Sequence, residues 1–122
     1  MTKRTPARKT SGKKPVRSGL SKARLKEMIE EATVDAYGES EQVTGWYTMI
    51  DENLEVPFET MVLGVPVTVE RVDLNRSGQI VALCARGRDR QALPILDLPL
   101  PTPSPDGAEW IEAYRHWRGG ND

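Results

Sequence analysis

Residues 58–98 run FETMVLGVPVTVERVDLNRSGQIVALCARGRDRQALPILDL. Four short apolar segments, Phe58–Leu63, Val67–Leu74, Gln79–Arg86 and Ala92–Leu98, have the length and composition of strands. Three groups of turn-forming residues divide them: Gly64-Val65-Pro66, Asn75-Arg76-Ser77-Gly78 and Gly87-Arg88-Asp89-Arg90. Links this short favour antiparallel neighbours, because a parallel crossover needs a dozen residues or more. The expectation is a curved four-stranded meander or a small barrel.

Upstream of Pro57 the apolar period lengthens. Val43, Trp46, Tyr47, Ile50 and Leu54 share one face of a helix expected from about Ser40 to Leu54. Gly45 inside it costs about 1 kcal/mol against Ala, and would permit close packing. Pro57 cannot continue the helix. Earlier still, Ser21 can cap a first helix, with Leu20 and Leu25 placed as a hydrophobic staple. Leu25, Met28, Ile29, Ala32 and Ala36 carry its apolar face, and Gly38 is placed to end or kink it. Downstream, the proline-rich connector 99–105 leads to a last helix. Ser104 is its expected cap, Pro105 its first residue and Gly119 its end, with Trp110, Ile111, Tyr114 and Trp117 facing inward. The fold class is therefore α+β: two N-terminal helices, a curved antiparallel sheet and a C-terminal helix.

The formal net charge of −1 hides a segregation. Residues 1–24 hold nine Lys or Arg and no acid, whereas residues 25–59 hold ten acids and the single Lys26. From Asp35 to Glu59 there are seven carboxylates and no Lys or Arg. Seven like charges in so short a segment repel one another unless a cation, a basic partner or solvent separates them. Trp46 and Tyr47 in its midst argue against a disordered acidic tail.

The length suits one domain, expected over residues 20–118, after a disordered arm at 1–19 and before a flexible tail at 119–122. One cysteine excludes an internal disulfide framework and a cysteine-based zinc cluster. No apolar run approaches a membrane span, and the basic leader has no apolar core of a secretory signal. Its composition would also suit an organelle transit peptide. A monomeric cytoplasmic protein is expected.

The segment VDAYGESEQVTGWYTMIDENLEVPFE (34–59), with the later EWIEAYRHW (109–117), resembles the CcbP-type family of small bacterial calcium-binding proteins. The residues that carry the resemblance are Val34, Asp35, Ala36, Tyr37, Gly45, Trp46, Tyr47, Asn53, Leu54, Pro57 and Phe58. Gly38, Ser40 and Val56 depart from the family pattern. The resemblance implies a Ca²⁺ site within this region and no enzymatic activity.

Calcium also suits the residues themselves, since it takes six to eight oxygens from carboxylates, carbonyls and water. Asp35, Glu39 and Glu41 would gather at the junction of the two helices, against the carbonyl end of the first. Asp51, Glu52 and Glu55 form a like group at the end of the second, within reach of Glu59. Glu41 and Glu52 stand about 16 Å apart along a helix axis, so one ion cannot join the two groups. An EF-hand loop starting at Asp51 would need Gly and Glu where Val56 and Val62 stand. The plain reading of these acids is a solvated helix face.

Lys3, Arg4, Arg8, Lys9, Lys13, Lys14 and Arg17 of the arm could meet phosphates of RNA or DNA, or an acidic protein surface. A small nucleic-acid-binding module using this arm is the competing function, and a solubilising tail is the plain one. His116 reads as a surface residue, Cys84 as a small core residue, and the three tryptophans as core anchors. No catalytic triad, zinc set or phosphate-cradling glycine loop is present in the sequence.

Overall fold

Ser21 caps the first helix as its hydroxyl allows, accepting from the Arg24 amide at 3.0 Å. In the computed structural model, which describes residues 20–119, this helix (α1) spans Lys22–Thr33. The basic arm at 1–19 and the tail residues 120–122 lie outside the described residues. Glu39–Asn53 forms α2; Phe58–Val62, Val65–Leu74, Ile80–Arg86 and Asp89–Pro94 form β1 to β4; a 3-10 turn covers Ile95–Asp97; and Ala108–Gly119 forms α3. The chain is α+β as expected, and its sheet is an open antiparallel meander in the order β1-β2-β3-β4.

Strands β2 and β4 begin at Val65 and Asp89, inside segments expected as turns, and three further boundaries differ from the sequence expectation, each for a local reason. Helix α1 ends at Thr33 and not near Gly38, because Val34 turns extended and Asp35 takes a left-handed φ of 60°. Ala36 therefore leaves the helical face. The last helix starts at Ala108, not Pro105, after Gly107 at φ 88°. A side chain at Gly107 would overlap the Asn53 carbonyl, so the end of α2 dictates where α3 begins. Strand β4 stops at Pro94, whose missing N–H and fixed φ end the ladder, and Ile95–Asp97 turn instead of extending to Leu98.

The turns shape the sheet. Val62 pairs with Val65, leaving Leu63-Gly64 as a two-residue reversal at φ 52° and 78°. Positive φ at both central residues is the type I′ pattern, whose twist matches the strands it joins. Pro66 fits inside β2 because pairing with β3 begins only at Thr68. Glu70 is an extra residue between the pairs Val69↔Cys84 and Arg71↔Leu83, a bulge that sharpens the twist and curves the sheet.

The concave face carries Val69, Val72, Ile80, Ala82 and Cys84, all buried, and α2 lays Val43, Trp46 and Ile50 against it. Each such side chain contributes on the order of 1.5–3 kcal/mol by leaving water. Helices α1 and α3 complete the layer, and Leu20 and Leu25 pack against the same core. Gly45 sits on the α1–α2 contact, where a methyl would overlap the Ala32 carbonyl oxygen. Trp46, fully buried, meets the rings of Trp110, Tyr114 and Trp117 at centroid distances of 6.2, 5.7 and 5.9 Å. Its indole N–H has no hydrogen-bond acceptor among the described residues. Arg24 lies over the Trp110 ring at 5.9 Å, which ties α1 to α3.

Candidate metal centre

The seven expected carboxylates all lie on the exposed surface, at the junctions between elements. Helix α1 ends in Glu30 and Glu31, followed by Asp35, and has no basic residue in its last turn. Helix α2 ends in Asp51 and Glu52, followed by Glu55, again without a basic residue in its last turn. The carbonyl end of a helix carries partial negative charge and is ordinarily matched with Lys, Arg or His. Here acids stand at both ends, so negative charge is added to negative charge and a cation is favoured there.

The side chains are only partly gathered. Glu41 turns back along its own helix, and its carboxylate accepts from the Tyr37 amide at 2.9 Å. Glu39, the first residue of α2, pairs with Arg118 of α3 at 3.0 Å. Asp35 lies in the turn before α2 with no side-chain hydrogen bond or ion pair among the described residues, so the three stand at one junction without converging. In the second group, Asp51, Glu52 and Glu55 are also without ion-pair or hydrogen-bond partners for their carboxylates among the described residues. The chain around them is held firmly: the Leu54 amide donates to the Ile50 carbonyl at 2.8 Å, and the Glu55 amide to the Asp106 carbonyl at 2.8 Å. Glu59 follows in β1, where it pairs with Thr68 of β2 and borders a groove with Met61 and Pro99. Phe58 and Thr60, on either side of it, face inward, and the strand's period of two sends Glu59 the other way.

Among the described residues no three His, Cys, Asp or Glu side chains stand together as a ready metal set. The donors nevertheless fit a hard cation, being oxygens throughout, and of the seven only Glu39 has an ion-pair partner. Carbonyl oxygens and water would complete any coordination sphere.

Two contacts were not legible from spacing. Arg118 reaches Glu39 across 79 positions, a pairing no local pattern encodes. Tyr47 carries a hydroxyl whose pKa is raised first by burial and then by Asp51 and Asp73, with Arg71 opposing. The Tyr47–Asp51 half of that neighbourhood follows from i,i+4 helical spacing, whereas Asp73 arrives from β2. Cys84 is buried and its thiol pKa is raised by burial, in keeping with a core residue. His116 is half-buried on α3. No described helix is long and apolar enough to cross a membrane.

The fold has counterparts among solved structures. The crystal structure of Anabaena CcbP matches with a TM-score of 0.64 over 88% of this chain and 100% of that one, at 21% identity. A calcium-binding protein in its calcium-binding form matches with a TM-score of 0.64 over 88% and 99%, at 18% identity. Identities this low show a shared fold. No curated protein sequence matches the chain. A family model described as calcium binding, of the CcbP type, matches residues 26–118, which takes in α2, the whole sheet and most of α1 and α3. The chain belongs to the CcbP family of calcium-binding proteins.

Proposed function

We propose that this protein binds Ca²⁺ reversibly, as a buffer or sensor, at the carbonyl ends of α1 and α2. Asp35, Glu39 and Glu41 serve the first position, and Asp51, Glu52 and Glu55 the second, with Glu59 outside both. The observation that carries this reading is that both helices end in acids with no basic side chain in the last turn. Such an arrangement destabilises the ion-free protein and rewards a cation that relieves the repulsion. Calcium is favoured over magnesium because exposed, loosely gathered oxygens suit its flexible coordination better than a tight octahedron. The sites differ in readiness. The first must draw Glu39 from Arg118 and Glu41 from the Tyr37 amide, while the second has three carboxylates already free. The second site should therefore fill at lower Ca²⁺.

Calorimetric titration of chelator-stripped protein with Ca²⁺, and separately with Mg²⁺, tests this reading. Heat from Ca²⁺ that saturates and depends on both Asp35 and Asp51 supports it. Equal, salt-like responses to both ions at matched ionic strength would remove a specific site.

A further inference from the structure

Far from the acidic helix ends, the two outer hairpins bring together features that folding alone does not require. Leu63 is 98% exposed at the tip of β1–β2, in a left-handed conformation that Gly or Asn adopts more readily. The β3–β4 tip carries Arg86, Arg88 and Arg90, of which, among the described residues, only Arg90 has an ion pair, with Glu70 at 3.3 Å. Between the tips the concave sheet face runs on past the helices and leaves a cavity of about 290 Å³. Val62, Val65, Val67, Cys84 and Leu93 line it, with Arg86 and Arg90 at its rim.

Strand β4 is an edge of the sheet, and its residues Asp89–Ala92 are exposed. Its backbone groups that face away from β3 have no partner among the described residues. Cys84 pairs with Gln91 and Ala82 with Leu93, so Gln91 and Leu93 point to the cavity side. A strand laid along β4 would thus present every second side chain to the same apolar hollow.

We infer that this end of the sheet docks an extended acidic peptide, which adds as a strand to the β4 edge and seats an apolar side chain in the cavity. Its carboxylates meet Arg86 and Arg88, which have no ion pair among the described residues, although Asp89, the register partner of Arg86, also lines the cavity. A flat anionic lipid surface would match the arginines and Leu63 but could neither fill a hollow nor bond the strand edge. A second copy paired antiparallel along β4 would bring only Asp89 to the arginine groups and would set two Pro94 residues, neither with an N–H, against one ladder. The surface is separate from the proposed calcium positions and does not depend on them.

The test uses fluorescence anisotropy with a labelled, end-capped hexapeptide of alternating Glu and Leu, at matched ionic strength, with excess Ca²⁺ and with chelator. The expected result is saturable binding in both conditions. Arg86→Glu with Arg88→Glu should weaken it roughly tenfold or more, since close charge pairs are replaced by repulsion. A fully N-methylated version of the peptide should not bind, because it cannot complete the strand ladder. Amide chemical-shift changes should fall on residues 89–93. Failure of the acidic peptide to bind, or undiminished binding by its lysine counterpart, by the N-methylated peptide or to the double variant, would overturn the proposal. So would peptide-independent dimerisation through β4, or sedimentation with phosphatidylserine vesicles in place of peptide binding. The two substitutions are at exposed sites, and unchanged circular dichroism would show that the fold is intact.

Discussion

Gly45→Ala puts the packing of α1 on α2 to a test whose sign is informative. In an isolated helix this change is favourable by about 1 kcal/mol, because Ala loses less backbone freedom than Gly. Here the added methyl would overlap the Ala32 carbonyl oxygen and stand 3.1 Å from its carbon. Ordinary carbon contacts lie near 3.5–4.0 Å, so the helices must part by on the order of 1 Å. Ala32 is backbone within α1, and it cannot swing aside as a flexible side chain would. Overpacking of this kind costs about 1–3 kcal/mol, and more where the backbone itself must move. The propensity gain offsets part of this, leaving a net loss of up to about 2 kcal/mol. Urea unfolding followed by tryptophan emission measures it as a lower midpoint at unchanged slope. Because Asp35 lies three residues beyond Ala32, Ca²⁺ affinity should also fall. A variant more stable than the parent would refute the close approach of the two helices.

Other expectations can be checked with the same measurements. Leu63→Asn creates the Asn-Gly pair preferred in type I′ turns and should raise stability by about 1 kcal/mol, seen as a melting temperature several degrees higher. Asp35→Asn should lower Ca²⁺ affinity by calorimetry while leaving ion-free stability equal or higher, since it removes repulsion; unchanged affinity would strike Asp35 from the site. Deleting residues 1–19 should tighten Ca²⁺ binding modestly at low ionic strength and have no effect at high salt, if the basic arm competes for the acidic surface. The raised pKa of Cys84, from 9.0, has one sign: the unfolded thiol ionises first, so stability falls as pH climbs past about 9 until the folded thiol also ionises. Tyr47 and Tyr114, raised from 10.0, extend the loss to higher pH, and urea midpoints at pH 8 and pH 10 would show it.

Much of the architecture was written in local patterns. Ser21 caps where its spacing to the apolar face put it, Gly45 marks the tight helix contact, and β1 to β3 fall close to their expected bounds, while β4 lies earlier than expected. These are short-range signals, set by turn chemistry and by the periods of helix and strand. What local pattern did not reveal depends on distant groups. The end of α1 hinges on Asp35 adopting a left-handed turn, and the start of α3 on a carbonyl of Asn53. The candidate site divides along the same line. Its acids and their clustering at the helix ends could be read from spacing, yet the partners of Glu39 and Glu41 could not. Glu59, close to Glu55 by sequence count, stands in β1 with its side chain turned away from the inward-facing Phe58 and Thr60.

The ring cluster around Trp46 gives this protein an internal optical gauge. An indole sealed from water, with no acceptor for its N–H, should emit at short wavelength. The nearby rings of Trp110 and Trp117 can exchange excitation with it, since both lie about 6 Å away. Trp46 belongs to α2 and the other two to α3, so the emission reports the spacing between those helices. Trp117 also directly precedes Arg118, the residue that holds Glu39. An ion that draws Glu39 away from Arg118 would therefore shift the native fluorescence, and occupancy could be followed in the unlabelled protein.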